Sequence, residues 1–254
     1  MIKYSIILPY YKRPEFESSL VSFAHHYVGR RDYEIIVIED IKNELDLEHN
    51  KIFNDIVKKF KGTIPIVHYV DPHDSFSPCR KYNQGFTKAL GEYIIFSSPE
   101  IFHESNILDG LDKLFEDDKE SYYVCSCRAR RFINPILEKY NDHYSGEMIM
   151  WYQHSKMRNA MFHFCSAISK ENFKKVGGFD ERYCGGIGFD DESFLERIKL
   201  KGIGIIPIDD LVTTHIEHDR TYVDEYPELV EVNRKLFLNQ IETGSFEKDF
   251  VGVI

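Results

Sequence analysis

Four places in the chain carry residue types able to do chemistry. The first is Ser97-Ser98-Pro99-Glu100, which abruptly ends the apolar run Tyr93–Phe96 and has His103 three residues beyond its single carboxylate. A carboxylate just past a buried strand can hold a metal or a phosphate-bearing ligand. The same letters also suit a helix start, with Ser98 as cap, Pro99 at the first position and Glu100 in the first turn. The second is Glu39-Asp40, closing the run Glu34–Ile38, where a carboxylate can accept a hydrogen bond from a nucleobase such as uracil or cap the following turn. The third is Asp190-Asp191, opening a helical pattern after the flexible run Cys184-Gly185-Gly186-Ile187-Gly188; acids there suit the positive end of the helix dipole. The fourth is Thr214-His215-Ile216-Glu217-His218, two imidazoles close together after a short strand. Trp151, the chain's only tryptophan, stands with His154 and Arg158 nearby. An aromatic face flanked by polar groups suits a sugar or a base, or an ordinary core.

The elements that would position these groups alternate. Strand-like runs at Tyr4–Leu8, Glu34–Ile38, Ile64–Val70 and Tyr93–Phe96 are separated by helical patterns at Pro14–Val28, Asn50–Phe60 and Tyr82–Leu90. This order predicts an α/β fold with a mostly parallel sheet, right-handed crossovers and helices on both faces. Ligands of such sheets sit beyond the carboxyl ends of the strands, so Pro9–Arg13, Glu39–Asn43, Asp71–Arg80 and Ser97–His103 should share one crevice. The second half is less regular. It reads as strands at Tyr122–Cys127, Met161–Ile168 and Leu211–Thr214, and helices at Glu171–Val176 and Asp190–Lys199. No repeat or Pro/Gly/Ser-rich linker interrupts it. We expect one domain over 1–225, with a peripheral helix and tail over 226–254.

Composition narrows the partners. The 254 residues carry 43% hydrophobic and 29% charged side chains, enough to bury a full core, and a net charge of −10. That charge argues against non-specific binding to nucleic acid or anionic membrane. The five cysteines are scattered, and Cys125-Ser-Cys127 has the wrong spacing for a zinc knuckle. The run Tyr4–Leu8 is stopped by Pro9 short of spanning length, so the expected compartment is the cytoplasm, without a transmembrane segment.

The runs Ser5–Arg13, Glu34–Asp40 and Cys79–Gly85 continuing through Ala89–Phe96 resemble the family-2 glycosyltransferases of the GT-A fold. Gly177–Tyr183 and Gly186-Ile187-Gly188-Phe189-Asp190-Asp191-Glu192 are similar to the galactosyltransferase-type acceptor motif G-W-G-x-E-D, with Ile187 in place of its tryptophan. The resemblance runs from about residue 4 to 220 and implies a nucleotide-binding half to about 103 and an acceptor half from about 120 to 225. It implies an inverting transfer of a hexose or N-acetylhexosamine from a nucleoside-diphosphate sugar, UDP-linked, to a carbohydrate or other hydroxyl-bearing acceptor. It places donor contacts at Pro9, Tyr11, Arg13, Glu39, Arg80 and Ser98. Acceptor and lid contacts fall at Trp151, His154, Arg158 and Gly186. Asp191 would be the general base, with Asp190 holding the acceptor. The family's D-x-D metal motif is replaced by Ser98-Pro99-Glu100, which is similar to an x-P-E variant with a histidine three residues on. Metal ligation by Glu100 with His215 or His218 is then implied, and imidazole tilts the choice from Mg²⁺ to Mn²⁺.

Two rivals share parts of this pattern. A sugar-1-phosphate nucleotidyltransferase has the same sheet style, but it opens with a Gly-rich loop after the first strand, and Pro9–Pro14 contains no glycine. A degenerate GT-A module would bind nucleotide sugar or glycan without transfer.

Overall fold

The computed structural model describes residues 1–40, 46–72, 77–132, 146–162, 164–218, 225–247 and 252. Parts of the expected loops Glu39–Asn43 and Asp71–Arg80, of the acceptor half and of the C-terminal tail therefore lie outside the described residues.

The first half folds as strand–helix pairs: β1 (Tyr4–Tyr10), α1 (Phe16–His26), β2 (Tyr33–Asp40), α2 (Asp46–Lys59), β3 (Ile66–Asp71), α3 (Cys79–Lys88) and β4 (Tyr93–Ser97). These are followed by β5 (Ile101–His103), α4 (Ile107–Asp117), β6 (Tyr122–Phe132), β7 (Gly146–Gln153), β8 (Cys165–Ser169) and α5 (Lys170–Val176). A 3₁₀ turn over Glu181–Gly185 leads to α6 (Asp190–Leu200), β9 (Ile205–Ile216) and α7 (Pro227–Thr243). All strands join one sheet in the order β3-β2-β1-β4-β8-β6-β9-β5, with β7 added to β6. The β3-β2-β1-β4 ladders are parallel, as is β6–β9; β8, β5 and β7 pair antiparallel.

Strands covered on both faces read as unbroken apolar runs, and this is why β1, β2 and β4 were legible. Alternate residues of β1 feed two cores: Ile6 and Leu8 pack with α1, α2 and α4, while Ile7 packs with α3 and the aromatic cluster Phe96, Phe173, Phe179 and Phe194. Gly85 lets α3 lie against β1, since a Cβ there would come within 2.3 Å of Ile7. Arg197, 2% exposed, reaches from α6 to the carbonyls of Val176 and Gly178, and so satisfies the end of α5 while fixing α6 beside it. Among the described residues no helix is long and apolar enough to cross a membrane.

Three of the expected elements form differently. The expected strand Met161–Ile168 begins only at Cys165, and Met161 has a positive φ of 58°. The short strand at Leu211–Thr214 belongs to a twelve-residue β9, broken in register where Cys125 gives way to Ser126 on its partner. The helix start at Ser98-Pro99 does not form: those residues make a turn, with the Ile101 N–H donating to the Ser98 carbonyl (3.0 Å), and the chain resumes as β5. The helix of this region starts later, at Ile107, where the Asn106 side chain accepts from the Asp109 N–H.

Candidate active site and metal centre

The turn after β4 matters because of what β5 pairs with. Its three residues lie antiparallel to the end of β9, with Ile101 opposite His215 and His103 opposite Thr213, and the Ile216 N–H donates to the Glu100 carbonyl (3.0 Å). The ladder therefore delivers Glu100 to the two histidines. Ligand atoms of Glu100, His215 and His218 all lie within 4.8 Å of one another. Glu100 Oε1 is 3.5 Å from His215 Nε2 and 3.6 Å from His218 Nε2, and Oε2 is 3.9 Å from Arg13 Nε.

Burial alone would raise the Glu100 carboxyl, but hydrogen bonds and positive charge from His215 and His218 outweigh it and hold the group well below the usual carboxylate range. Oε2 is buried and accepts no hydrogen bond among the described residues. A buried carboxylate oxygen without a donor is costly unless something electropositive meets it. One carboxylate and two imidazoles suit a first-row divalent ion such as Mn²⁺ better than Mg²⁺. Three protein ligands would leave further coordination positions of such an ion open. The residues fit the ion.

His103 does not join this cluster. It is fully buried, with Nδ1 bonded to the Tyr27 hydroxyl and Nε2 3.8 Å from Cys165 Sγ. Burial, and then the charge of His26, pull it down to about 3. The native state thus refuses a proton that the unfolded chain takes up below pH 6.5. The contribution of His103 to stability is full above that value and falls as pH drops toward 3, by about 1.4 kcal/mol per pH unit. Urea titrations between pH 7 and pH 4.5 should show this slope in the parent and a shallower one in His103→Asn. Equal slopes would mean that His103 is protonated in the fold.

The aromatic side of the site is built from β7 and the segment after it. Tyr152 and Phe164 meet the His215 ring edge-on, with centroids 5.1 and 5.2 Å away. Successive strand residues face opposite sides, so Trp151 points elsewhere and packs on Arg128 (4.8 Å) and His154 (4.5 Å). Tyr152, which the sequence reading passes over for its neighbour, is the β7 aromatic that meets His215. His154 and Arg158 exchange backbone hydrogen bonds of 2.9 and 3.0 Å around a turn, and Asp209 pins that turn through the Ser155 N–H (2.8 Å). The Arg158 guanidinium lies over the rings of Tyr152 (5.7 Å) and Phe162 (5.5 Å), one ring removed from His215.

The residues expected to contact a donor stand at or after the carboxyl ends of the parallel strands. β1 and β2 pair with Pro9 opposite Ile38 and Tyr10 opposite Glu39. Tyr11 is exposed just beyond, and Lys12 covers its ring in a left-handed turn with φ 49°. Glu39 is buried, with Oε2 2.8 Å from both Asn50 Nδ2 and His68 Nε2. Asp40 is paired with buried Lys81 at 3.0 Å. The two acids at the end of β2 are therefore held by α2, β3 and α3. Arg80 is half-buried in the first turn of α3, and Ser98 is half-buried after β4.

Asp190, buried, and Asp191, half-buried, begin α6. The buried Tyr82 hydroxyl donates to the Ser97 carbonyl at 3.2 Å. Burial raises Tyr82 far above its ordinary value, and the charges of Asp191, Asp190 and Glu100 add to the effect. One side chain thus feels both the acid pair and the Glu100 carboxylate. Gly186 sits flush against α7, where a Cβ would come within 2.4 Å of Asn233 Oδ1.

A family model described as the N-terminal domain of galactosyltransferase matches residues 151–219, the segment holding Tyr152, Arg158, the acid pair and both histidines. Among solved structures, S. aureus TarS 1–349 in complex with UDP-GlcNAc is similar at 14% identity and a TM-score of 0.62, over 86% of this chain and 60% of that one. The mannosyltransferase PcManGT from Pyrobaculum calidifontis, in complex with GDP-Man and Mn²⁺, is similar at 14% identity and a TM-score of 0.61, over 88% of this chain and 59% of that one. The chain thus spans about three fifths of the length of these two structures. No curated protein matches it. The fold is that of the GT-A glycosyltransferases.

Proposed function

We propose that this chain is an inverting glycosyltransferase that moves a sugar from a nucleoside-diphosphate donor, UDP-linked, to an acceptor hydroxyl with the help of a divalent ion. The observation that carries the reading is the cluster of Glu100, His215 and His218 beside the strand ends and within electrostatic reach of the same buried tyrosine as Asp191. The structural neighbours bind nucleotide sugars, and one of them was solved with Mn²⁺.

Glu100, His215 and His218 would hold the ion, which when bound supplies positive charge to the diphosphate. Arg13 and Arg158 are the nearby cations that add to it. Asp191 takes the proton of the acceptor hydroxyl as its oxygen attacks the anomeric carbon and the bond from that carbon to the diphosphate breaks. Asp190 orients the acceptor. Tyr152 and Phe164 form an apolar wall that keeps the two imidazoles in place. The turn carrying His154 and Arg158 serves as the lid on bound donor.

The test is calorimetry and slow donor hydrolysis with UDP-GlcNAc and GDP-mannose, each with Mn²⁺, with Mg²⁺ and with chelator. Metal-dependent binding of the UDP-sugar, tighter with Mn²⁺, is expected. Tighter binding of GDP-mannose would overturn the donor assignment. Affinity untouched by chelator would remove the ion from the mechanism.

A further inference from the structure

A helix at the edge of a domain has no reason to bury amides, yet α7 buries two. Asn233 is 0% exposed and Gln240 is 1% exposed. Buried polar groups are there for their partners. Both N–H groups of the Asn233 amide are used: one donates to the Tyr183 carbonyl (3.0 Å) and the other to the Gly188 carbonyl (2.8 Å). Its Oδ1 accepts nothing among the described residues, so the donors are its contribution.

Three further contacts tie the same loop to the same helix. The Ile187 N–H donates to the Leu229 carbonyl (3.1 Å). Gly186 leaves no room for a Cβ between itself and Asn233. The Phe189 ring lies 5.8 Å from that of Phe237. The loop they grip contains two successive left-handed residues, Gly188 (φ 73°) and Phe189 (φ 64°). A bulky residue in that region is a conformational outlier that persists only where its surroundings enforce it. The next residues are Asp190 and Asp191.

We propose that α7 is a splint for the acid pair, and that Asn233 is a positioning residue which holds the Gly188–Phe189 turn and so aims Asp190 and Asp191 at the acceptor. This rests on the catalytic reading of that pair. Asn233 touches no substrate. Its effect on rate comes through geometry, where a misplacement of about 1 Å can cost up to about 10²-fold.

The experiment compares Asn233→Leu, which keeps the branching at Cγ and removes both donors, with Gln240→Leu. Gln240 bonds the Tyr183 hydroxyl and Asp180 but not the Gly188 turn. Amide hydrogen exchange over Ile187–Asp191, kcat, donor KM and melting temperature are measured for each. Asn233→Leu should speed exchange there by about 10-fold or more and lower kcat by a similar factor, with donor KM within about two-fold. Gln240→Leu should lower the melting temperature while leaving that exchange and kcat near the parent. Unchanged exchange in Asn233→Leu overturns the splint. Faster exchange with intact kcat overturns the positioning role, as does a kcat loss that merely tracks melting temperature in both variants. If Asn233→Leu does not fold, Phe237→Leu replaces it, and unaltered exchange in that variant is equally fatal. A parent protein that transfers no sugar would sink the transferase reading, while the exchange comparison would still decide the splint.

Discussion

Asp191→Asn is expected to cut sugar transfer by about 10² to 10⁴-fold while leaving donor affinity nearly as it was. The substitution keeps the shape of the side chain and removes only the ability to take a proton. Asp191 is half-buried at the start of α6, with Asp190 and Glu192 also in the first turn, so the helix keeps acids at its positive end. The lost dipole interaction is worth only about 0.3–1 kcal/mol, too little to unfold the protein. Steady-state transfer and calorimetric donor binding on the same preparation separate the roles. If donor affinity falls in parallel with rate, Asp191 is a structural part of the α6 start and the base lies elsewhere.

Glu100→Gln should weaken metal-dependent donor binding by at least about 10²-fold. Even partners that only orient metal ligands cost about 10–100-fold when removed, and Glu100 is the one anionic member of its cluster. Without it two imidazoles remain, joined by no negative charge, and diphosphate would enter a protein of net charge −10 with less cation to meet it. His215→Asn should act in the same direction more mildly and shift the preference from Mn²⁺ toward Mg²⁺, because an oxygen replaces a nitrogen donor. Calorimetry across both ions and with chelator reads these effects. If the parent and Glu100→Gln bind donor equally well in Mn²⁺, the cluster is an ordinary buried ion pair.

What could be read in advance follows the range of the forces involved. β1, β2 and β4 were legible because their residues are buried on both faces, and α1 and α3 because they are local amphipathic patterns. Glu100 stood out as a lone carboxylate beyond a strand, and the histidines as a close pair. Sequence could not show that both histidines, rather than one, reach Glu100, because that depends on the register of Ile101 against His215. Nor could it exclude a helix at Ser98-Pro99. Three residues, Ile101-Phe102-His103, are too few to show a period, and the strand that claims them is far along the chain. β7 was missed because Met148, Ile149 and Met150 are exposed in succession, which erases the alternation that marks a half-buried strand. Trp151 drew notice by rarity, while the neighbouring Tyr152 faces His215 through strand alternation alone. Asn233 carried no sequence signal, since a lone amide in a helix reads as solvated surface.

The pairing of β5 with β9 also sets an order of assembly. β1 to β4 can close their parallel sheet from the first hundred or so residues, through contacts between near neighbours in the chain. β5 has only three residues and finds its partner only when the chain has run on to Thr213–His215. Closing so long a loop costs entropy before any contact repays it. In a chain emerging from the ribosome, the ends of β1 to β4 can therefore be complete before the cluster of Glu100, His215 and His218. A nascent chain short of Thr213 has Glu100 and neither of its histidines. On the proposed reading, competence to bind the ion waits for β9, and a chain that stops before it is inert without needing any inhibitor.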